Sequence, residues 1–249
     1  MILDLIKLGG SVLTDKRGRL ALRQEVLARI AREIAESLPD ERWQTGAGLV
    51  IVHGAGSFGH PRALECGLGA APSGGDDGRS VPRGPRPLPL FSEPSLRDAV
   101  VAIQEEIRRL HLALLQELVQ AGVPAMSLPG AGFLRMSGGR LERPDLTELL
   151  RAGAQGFVPV TCGDVVIDSA QGPRIVSADR VTLEICRQAE PERVTFVTDV
   201  DGVFDRDPYA LARIAGPGRR TFVLSGLVPG RLAAHLRGDD VPGTSIHSR

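Results

Sequence analysis

Residues 51–60 read Ile51-Val52-His53-Gly54-Ala55-Gly56-Ser57-Phe58-Gly59-His60, and they follow directly on the apolar residues Leu49 and Val50. A buried parallel strand that breaks into glycines presents bare backbone N–H groups to an anion. A similar break occurs earlier, where the mostly apolar residues 3–8 run into Gly9-Gly10-Ser11. Two such turns at the same end of one sheet predict a site for a phosphate-bearing substrate.

Strand-like apolar runs alternate with segments of helical periodicity along most of the chain. We predict strands at residues 3–8, 49–52, 123–128, 157–161, 194–198, 221–224 and 244–246, helices at 22–38, 95–120, 145–152, 177–188 and 230–236, and hairpins at 133–141 and 165–176. This order predicts an α/β three-layer sandwich, whose mostly parallel central sheet carries helices on both faces. Residues 70–94 are rich in Gly, Pro, Asp and Arg, so we expect a flexible loop or a lid there.

The composition excludes several classes of protein. Basic and acidic residues balance at 30 each, so neither nucleic acid nor a membrane surface is an expected partner. No apolar run reaches the ~20 residues of a membrane-spanning helix. The three cysteines lack metal-ligand spacing, which predicts reduced thiols in a cytoplasmic protein and no metal site of their own. Lysine occurs only at Lys7 and Lys16, on either side of the first glycine-rich turn, and every other basic residue is arginine.

Residues 54–59 fit two other phosphate-binding motifs poorly. They match the dinucleotide fingerprint G-x-G-x-x-G, but the acids about 20 residues on, Asp76 and Asp77, fall in the predicted loop rather than at a strand end. The same window approaches a P-loop, but His60-Pro61 stands where that motif has Lys-Ser/Thr. Both alternatives are therefore disfavoured.

Four motifs together resemble the amino acid kinase superfamily. They are Lys7-Leu8-Gly9-Gly10-Ser11, residues 53–60, Ser177-Ala178-Asp179 and Thr198-Asp199-Val200-Asp201-Gly202. Within the superfamily, the full string at 52–60 with Lys16 is most similar to isopentenyl phosphate kinases, and fosfomycin kinase is the nearest relative in pattern. The string with its closing histidine is specific, whereas the Asp-Val-Asp-Gly turn marks only the superfamily.

The resemblance implies a reaction and a division of the chain. It implies transfer of the γ-phosphoryl group of Mg-ATP to a small phosphorylated acceptor, with isopentenyl phosphate as the favoured acceptor, and ATP and Mg²⁺ as cofactors. It also implies an acceptor lobe at residues 1–160, a nucleotide lobe at 161–249, one continuous sheet and a homodimer. The alternatives are a non-catalytic anion-binding or regulatory member of the superfamily and a kinase for another small acid such as fosfomycin.

The resemblance also implies roles for individual residues. Lys7 would bridge the phosphates in the transition state, Lys16 would assist at the γ-phosphate, and His60 would bind the acceptor phosphate. Asp179 would orient Lys7, although a plain helix N-cap is an alternative role. The implied acceptor-binding residues are Gly9, Gly10, Ser11, Gly54, Ala55, Gly56, Ser57, Gly59, His60 and Gly163, with Gly9, Gly10, Ala55 and Gly56 donating backbone N–H groups. The implied nucleotide-binding residues are Lys7, Gly9, Thr198, Asp199, Asp201 and Gly202.

The carboxyl-terminal part departs from the family pattern. The family has a Thr-Gly-Gly-Met-like turn and a lysine that reaches the ATP phosphates, but this chain has neither that turn nor a lysine beyond Lys16. We therefore predict a shortened nucleotide lobe, with Arg213, Arg219 or Arg220 as substitutes for that lysine. For the isoprenoid tail we expect an apolar pocket formed by Phe58, Phe133 and the helix at 95–120.

Overall fold

The structure is a computed structural model that describes residues 2–15, 17–38, 48–65, 68, 94–202 and 218–246, apart from the side chains of residues 2, 3, 60, 94 and 95. Lys16, Arg213 and almost all of the predicted loop at 70–94 lie outside the described residues. None of the described helices has the length and the apolar character needed to cross a bilayer.

The described elements alternate between strands and helices, as the sequence predicts. In chain order they are β1 (Ile2–Leu8), α1 (Gly10–Leu13), α2 (Gln24–Ser37), β2 (Gly48–His53), α3 (His60–Glu65), α4 (Pro94–Gln120), β3 (Ala125–Ser127), a 3₁₀ turn (Gly130–Gly132), β4 (Met136–Ser137), β5 (Arg140–Leu141), α5 (Thr147–Ala154), β6 (Val158–Cys162), β7 (Asp164–Asp168), β8 (Gly172–Val176), α6 (Ala178–Ala189), β9 (Arg193–Thr198), β10 (Arg220–Ser225), α7 (Arg231–Arg237) and β11 (Thr244–Ile246).

The central sheet has seven strands among the described residues, in the order β11-β10-β9-β1-β2-β6-β3. All of its neighbouring strands are parallel except β10 and β11. The parallel strands end at a common edge, since Leu8 of β1 pairs with His53 of β2 and with Val197 of β9. The turns that follow β1, β2 and β9 therefore meet at one edge of the sheet.

Both faces of the sheet are covered. Leu5 and Ile6 are adjacent in β1 and point to opposite faces, yet neither is exposed to solvent. Ile6 packs in a core that contains residues of α2, α4 and α7, and Leu5 packs in a second core that contains residues of α5 and α6. Because neither face of β1 is exposed to solvent, its apolar residues do not alternate with polar ones, and its sequence is nearly continuously apolar. The predicted three-layer α/β class is confirmed.

A second, four-stranded sheet was not predicted. The sequence predicts two separate hairpins, but β4 pairs with β7, so that the strand order is β5-β4-β7-β8. The carboxylate of Asp168 fixes this junction, because it accepts hydrogen bonds from the N–H groups of Gly138 and Gly139 across the sheet and of Ala170 and Gln171 in its own turn. These bonds hold the pKa of Asp168 below its usual value, although burial alone would raise it. Local periodicity carries no signal for such a long-range contact.

Candidate active site

The two glycine-rich turns pack backbone against backbone at the carboxyl ends of β1 and β2. The Gly54 N–H donates to the Leu8 carbonyl oxygen at 2.9 Å. A Cβ atom on Gly10 would lie 2.1 Å from the nitrogen of Gly56, which leaves no room for any side chain. Gly56 also has φ +56°, a conformation that other residues adopt only with strain. Contact therefore requires glycine at both positions, and at Gly56 the backbone conformation requires it as well.

Thr14 joins the two turns and was missed in the sequence. Its buried hydroxyl donates to the Gly10 carbonyl oxygen at 2.7 Å and accepts from the Ser57 N–H at 2.9 Å. One side chain thus satisfies a backbone group of each turn, so the turns form a single unit. The signal was weak, since a threonine four residues after Gly10 looks like an ordinary loop residue.

The predicted N–H donors do not all remain available. The Gly9 N–H donates to the Val197 carbonyl oxygen at 2.7 Å, so its predicted donation to a phosphate is wrong for this structure. The N–H groups of Gly10, Ala55 and Gly56 have no acceptor among the described residues. The Oγ of Ser57 is also buried without a hydrogen-bond partner in the described part of the chain. The turns therefore offer several donors for an anion.

Both turns open into a cavity of about 690 Å³ that also contains Lys7, Gly163 and Asp179. The Lys7 ammonium lies 2.9 Å from the Asp179 carboxylate, with the lysine side chain mostly buried and the aspartate 61% exposed. Ser177, and not Asp179, caps α6, since its Oγ accepts the Arg180 N–H at 3.2 Å. Asp179 is thus positioned to orient Lys7, as the family resemblance implies.

Gly163 allows α6 to approach this cavity. A Cβ atom on Gly163 would lie 2.6 Å from the Ala178 nitrogen and 2.7 Å from the Val176 carbonyl oxygen. The turn between β6 and β7 is therefore in direct contact with the start of α6. This contact places Asp179, in the first turn of that helix, beside β1 and Lys7.

The predicted nucleotide-binding residues gather at the carboxyl end of β9. The Ser11 hydroxyl, predicted on the acceptor side, donates to Asp199 at 2.8 Å, and the Thr198 hydroxyl donates to the same carboxylate at 3.3 Å. Asp201 forms an ion pair with Arg231, at the start of α7. Gly202 packs against Thr244, whose Oγ1 would lie 2.4 Å from a Cβ atom on the glycine.

The arginines proposed to replace the missing lysine lie at the wrong end of the sheet. Arg220 begins β10 and pairs with Arg193, at the amino end of β9. At about 3.3 Å per residue, it lies roughly 17 Å from the carboxyl end of its six-residue strand. The Arg219 guanidinium donates to the carbonyl oxygens of Pro191 and Cys186 at the same amino end. Both predictions are therefore wrong, and Arg213 lies outside the described residues.

The prediction that Phe58 and Phe133 line the pocket for the isoprenoid tail is also wrong. Phe58 is buried in the core under α2 and α4, and Phe133 packs against the other core. Of the helix at 95–120, Ile107 does line the cavity. Further apolar residues in its lining are Pro61, Leu64, Ile175 and Val176. Lys16 is outside the described residues, and His60 is described only as the first residue of α3.

A buried pair of histidines, His53 and His111, contacts the start of the second glycine-rich turn. His53 Nδ1 faces the Gly54 carbonyl oxygen at 3.2 Å, and His53 Nε2 lies 2.8 Å from His111 Nδ1. Because a carbonyl oxygen only accepts, His53 carries its proton on Nδ1 and accepts from His111 through Nε2. Burial lowers the pKa of His53 to about 3 and that of His111 to about 4, so both rings are neutral.

Cys162 and these two histidines form a group of residue types that can bind a metal. All three are buried, and their potential ligand atoms lie within 4.8 Å of one another. Burial raises the pKa of the Cys162 thiol to about 12, so Cys162 is protonated at neutral pH. The hydrogen bonds here run from His53 to His111 and on to the Ser127 hydroxyl, so the two histidines form a buried hydrogen-bond chain beside Cys162.

Glu106 is a second residue of the site that was not predicted from the sequence. The residue is 4% exposed, on α4 beside the cavity, and its carboxylate accepts the Gly59 N–H at 2.9 Å. A signal was present, because Glu106 stands between Ile103 and Leu110 at helical spacing, on the apolar stripe. A carboxylate at such a position requires a specific partner.

Comparison with known proteins agrees with this geometry. A family model described as the amino acid kinase family matches residues 5–214. The isopentenyl phosphate kinase of Methanothermobacter thermautotrophicus is 29% identical over 282 aligned positions, covering 97% of this chain and 98% of that protein. The isopentenyl phosphate kinase of Haloferax volcanii is 32% identical over 243 positions, covering 95% and 87%. The 282 positions exceed the 249 residues of this chain, so the first relative carries residues without a counterpart here.

Solved structures give the same result. An X-ray structure of an isopentenyl phosphate kinase matches with a TM-score of 0.79 at 29% identity, covering 98% of this chain and 99% of that one. The product complex of the Thermoplasma acidophilum isopentenyl phosphate kinase matches in fold, with a TM-score of 0.75 at 24% identity over 98% of this chain and all of that one. The resemblance noted from the sequence motifs is confirmed, and the chain belongs to the amino acid kinase family.

Proposed function

We propose that this protein transfers the γ-phosphoryl group of ATP to isopentenyl phosphate, giving isopentenyl diphosphate and ADP. The observation that carries the proposal is the acceptor cradle, in which two interlocked glycine-rich turns share a cavity with the Lys7–Asp179 pair. Relatives that align along nearly the whole chain are isopentenyl phosphate kinases. The cradle explains how an anionic acceptor is bound, and the relatives supply its identity.

The chemistry requires positioning and charge neutralisation more than covalent participation by the protein. The acceptor phosphate is already anionic, so its attacking oxygen needs no general base. The N–H groups of Gly10, Ala55 and Gly56, which have no acceptor in the described part of the chain, hold that phosphate. Lys7, held by Asp179, neutralises the charge that develops between donor and acceptor. Lys16 and His60 retain their predicted roles at the γ-phosphate and the acceptor phosphate.

The apolar lining of the cavity favours a hydrocarbon tail over a small polar acid. Leu64, Ile107 and Ile175 line the same cavity as the phosphate cradle. An isopentenyl group gains free energy by leaving water for such a surface. Fosfomycin has far less apolar surface to bury, so we expect it to be the poorer substrate.

Arg231 is our candidate for the cation on the nucleotide side. It begins α7 directly beyond the carboxyl end of β10, its side chain is 11% exposed, and it pairs with Asp201. Mg²⁺ is usually held by substrate phosphates together with one or two carboxylates. The Asp199 carboxylate and the Ser11 hydroxyl fit this preference for oxygen ligands, and the ion would neutralise phosphate charge when bound. A cytoplasmic homodimer is proposed from the family resemblance alone.

A substrate panel tests the proposal. Purified protein with Mg-ATP is assayed for ADP release with isopentenyl phosphate, longer prenyl phosphates and fosfomycin, and Lys7→Ala serves as the control. We expect turnover with isopentenyl phosphate at the highest kcat/KM and loss of that turnover in the variant. No turnover, with no rise in melting temperature on adding ATP, would instead indicate the non-catalytic binding protein that the shortened lobe permits. A preference for fosfomycin would overturn the choice of acceptor.

A further inference from the structure

Glu106 carries a buried charge that connects two separate segments of the cavity wall. Its Oε1 accepts from Arg62 Nε at 2.8 Å and from Arg19 Nη2 at 3.3 Å, and its Oε2 accepts from the Gly59 N–H at 2.9 Å. Arg19 also lies 3.9 Å from the Glu65 carboxylate. Glu106, Arg19, Arg62 and Gly59 therefore form one ionic network, which we call the Glu106 network.

The network joins segments that face the acceptor. Residues 17–19 follow the first glycine-rich turn, and both Gly18 and Arg19 line the cavity. Gly59 ends the second turn, with φ +86°, and α3 after it contributes Pro61 and Leu64 to the same cavity. In sequence, Arg19 comes three residues after Lys16, and Gly59 directly precedes His60. Glu106 thus contacts the flanks of both segments from a third element, α4.

Stability alone does not explain an ionised group at this position. The neighbours of Glu106 on the buried face of α4 are Ile103, Ile107 and Leu110, so an apolar side chain would extend the stripe. Replacing buried ion pairs by apolar residues is often neutral or stabilising. Burial opposes ionisation here, but the hydrogen bonds from Arg62, Gly59 and Arg19 hold the pKa of Glu106 below its usual value. A carboxylate at this position fixes geometry, which a leucine cannot do.

We propose that Glu106 is a positioning residue for the acceptor site. It holds the Gly59 peptide and the Arg19 side chain at fixed positions, so that the acceptor phosphate meets a preformed cradle. The inference rests on the proposed function, because it assigns Glu106 a role at the site where isopentenyl phosphate binds. Displacing groups at a reacting centre by about 1 Å can lower rates roughly a hundredfold.

The test compares Glu106→Gln with Glu105→Gln. Glu105 is the adjacent residue, is exposed, and pairs only with Arg109 on the same helix among the described contacts, so it is a matched control. Steady-state kinetics give kcat and both KM values, calorimetry gives the affinity for isopentenyl phosphate, and thermal melts give stability. We expect Glu106→Gln to lower kcat/KM for isopentenyl phosphate roughly tenfold to a hundredfold and to weaken its binding about tenfold, with the KM for ATP unchanged within about twofold. Glu105→Gln should match the wild type.

A second variant keeps the test valid if Glu106→Gln folds poorly. Arg19→Gln removes the ion pair between Arg19 and Glu106. The Arg19 side chain is half exposed, so the substitution should be tolerated. We expect it to weaken acceptor binding without a large loss of melting temperature, and to add little to the effect of Glu106→Gln in the double variant. A lower melting temperature with unchanged acceptor affinity in both variants would show a purely structural network and overturn the inference.

The outcomes separate this inference from the proposed function. If the wild type phosphorylates isopentenyl phosphate but the Glu106 and Arg19 variants keep its full acceptor affinity, the function stands and the inference fails. If the wild type binds isopentenyl phosphate without turnover and both variants lose that binding, the inference stands and the kinase function fails. If the wild type does not bind isopentenyl phosphate, both are overturned.

Discussion

Two parts of the sheet edge are built in different ways: the turns after β1 and β2, proposed to bind the acceptor (the acceptor half), and the residues after β9 and β10, proposed to bind the nucleotide (the nucleotide half). After β1 and β2, Gly10 and Gly56 meet through their backbones, at distances that no side chain could occupy. After β9 and β10, the contacts run between side chains, with Ser11 bonded to Asp199 and Asp201 paired with Arg231. A backbone-to-backbone site accepts only glycine, whereas a site made of side chains can be rebuilt with other residues.

This difference explains why the acceptor half keeps the sequence motifs of the family and the nucleotide half departs from them. The glycine-rich strings are intact, while the lysine expected on the nucleotide side is missing. An arginine cannot stand in for a lysine without a change of geometry, because its charge is spread over a planar fork. We therefore expect substitutions in the acceptor half to be severe and those in the nucleotide half to be graded.

The largest effect is expected at Lys7, which serves both halves. Lys7→Ala removes the cation paired with Asp179, and we expect kcat to fall about a thousandfold, in line with the loss of one transition-state donor. Lys7→Arg should not restore activity, since the fork does not fit a site built around a compact ammonium. Phosphoryl-transfer kinetics on folded variants provide the measurement. A loss below about tenfold in Lys7→Ala would contradict the assigned role.

The acceptor half should not tolerate a single methyl group. A Cβ atom on Gly56 would lie 2.1 Å from Thr14 Oγ1 and 2.5 Å from the Gly10 carbonyl oxygen. We expect Gly56→Ala to lower kcat/KM for the acceptor about a hundredfold, because the two turns must separate. Gly122→Ala is the matched control, since Gly122 also has a positive φ but no atom within 4 Å of the added methyl. Equal effects of the two variants on acceptor kinetics would show that the interlocked turns are dispensable.

The nucleotide half should respond more mildly to loss of its arginine. We expect Arg231→Ala to raise the KM for ATP about tenfold, which corresponds to about 1.4 kcal/mol, with the KM for the acceptor unchanged. Arg237→Ala on the same helix is the control, because Arg237 is half exposed and pairs with Asp239 at the far end of α7. If Arg231→Ala changes the acceptor KM instead, the assignment of Arg231 to the nucleotide is wrong.

Acid should lower the free energy of unfolding, because histidines that are buried and neutral lie beneath both halves. His53 and His111 support the acceptor turn, whereas His235 lies on α7 and hydrogen-bonds Thr195 at 3.0 Å. Burial lowers the pKa of His235 to about 4. The unfolded chain binds protons at these positions from about pH 6.5 downward and the folded chain does not, so stability falls on acidification. We expect each histidine to remove roughly 2 kcal/mol between pH 7 and pH 5.

Denaturant unfolding at a series of pH values measures this loss. His235→Gln should remove about a third of the pH dependence between pH 6.5 and pH 5 without changing acceptor affinity. Stability that is flat across this range would contradict the prediction, because it would show that the histidines take up protons in the folded protein as readily as in the unfolded chain. The window lies above the usual pKa of carboxylates, so their protonation contributes little.

The central sheet and the glycine-rich turns were predictable from sequence, because both depend on local patterns. Apolar runs gave the strands, and glycines at their ends gave the turns that the structure joins. The Lys7–Asp179 pair was predictable from the family resemblance, although its partners are far apart in the chain. The predictions that failed depended on the direction in which a side chain points. Periodicity shows that Phe58 is buried, but not that it faces the core instead of the cavity.

The remaining misses also involve contacts between distant segments. Arg219 and Arg220 were chosen because they are the basic residues near the segment where the family has its lysine. Only the strand register and the contacts of Arg219 show that they lie at the opposite end of β10. Thr14 and Glu106 act through backbone groups of other segments. The place of Glu106 on an apolar stripe indicates that it has a partner, but a single sequence does not identify the partner of either residue. The second sheet depends on the Asp168 carboxylate in the same way.

The central claim is that the proposed kinase works with a complete acceptor cradle and a reduced nucleotide side. ³¹P NMR of the protein with Mg-ATP and isopentenyl phosphate tests this most directly, because it identifies the product as well as the rate. We predict that the monophosphate resonance is replaced by the two coupled resonances of a diphosphate, with one ADP formed for each product. ATP consumption without a new diphosphate, or an unchanged spectrum with folded protein, would contradict the account.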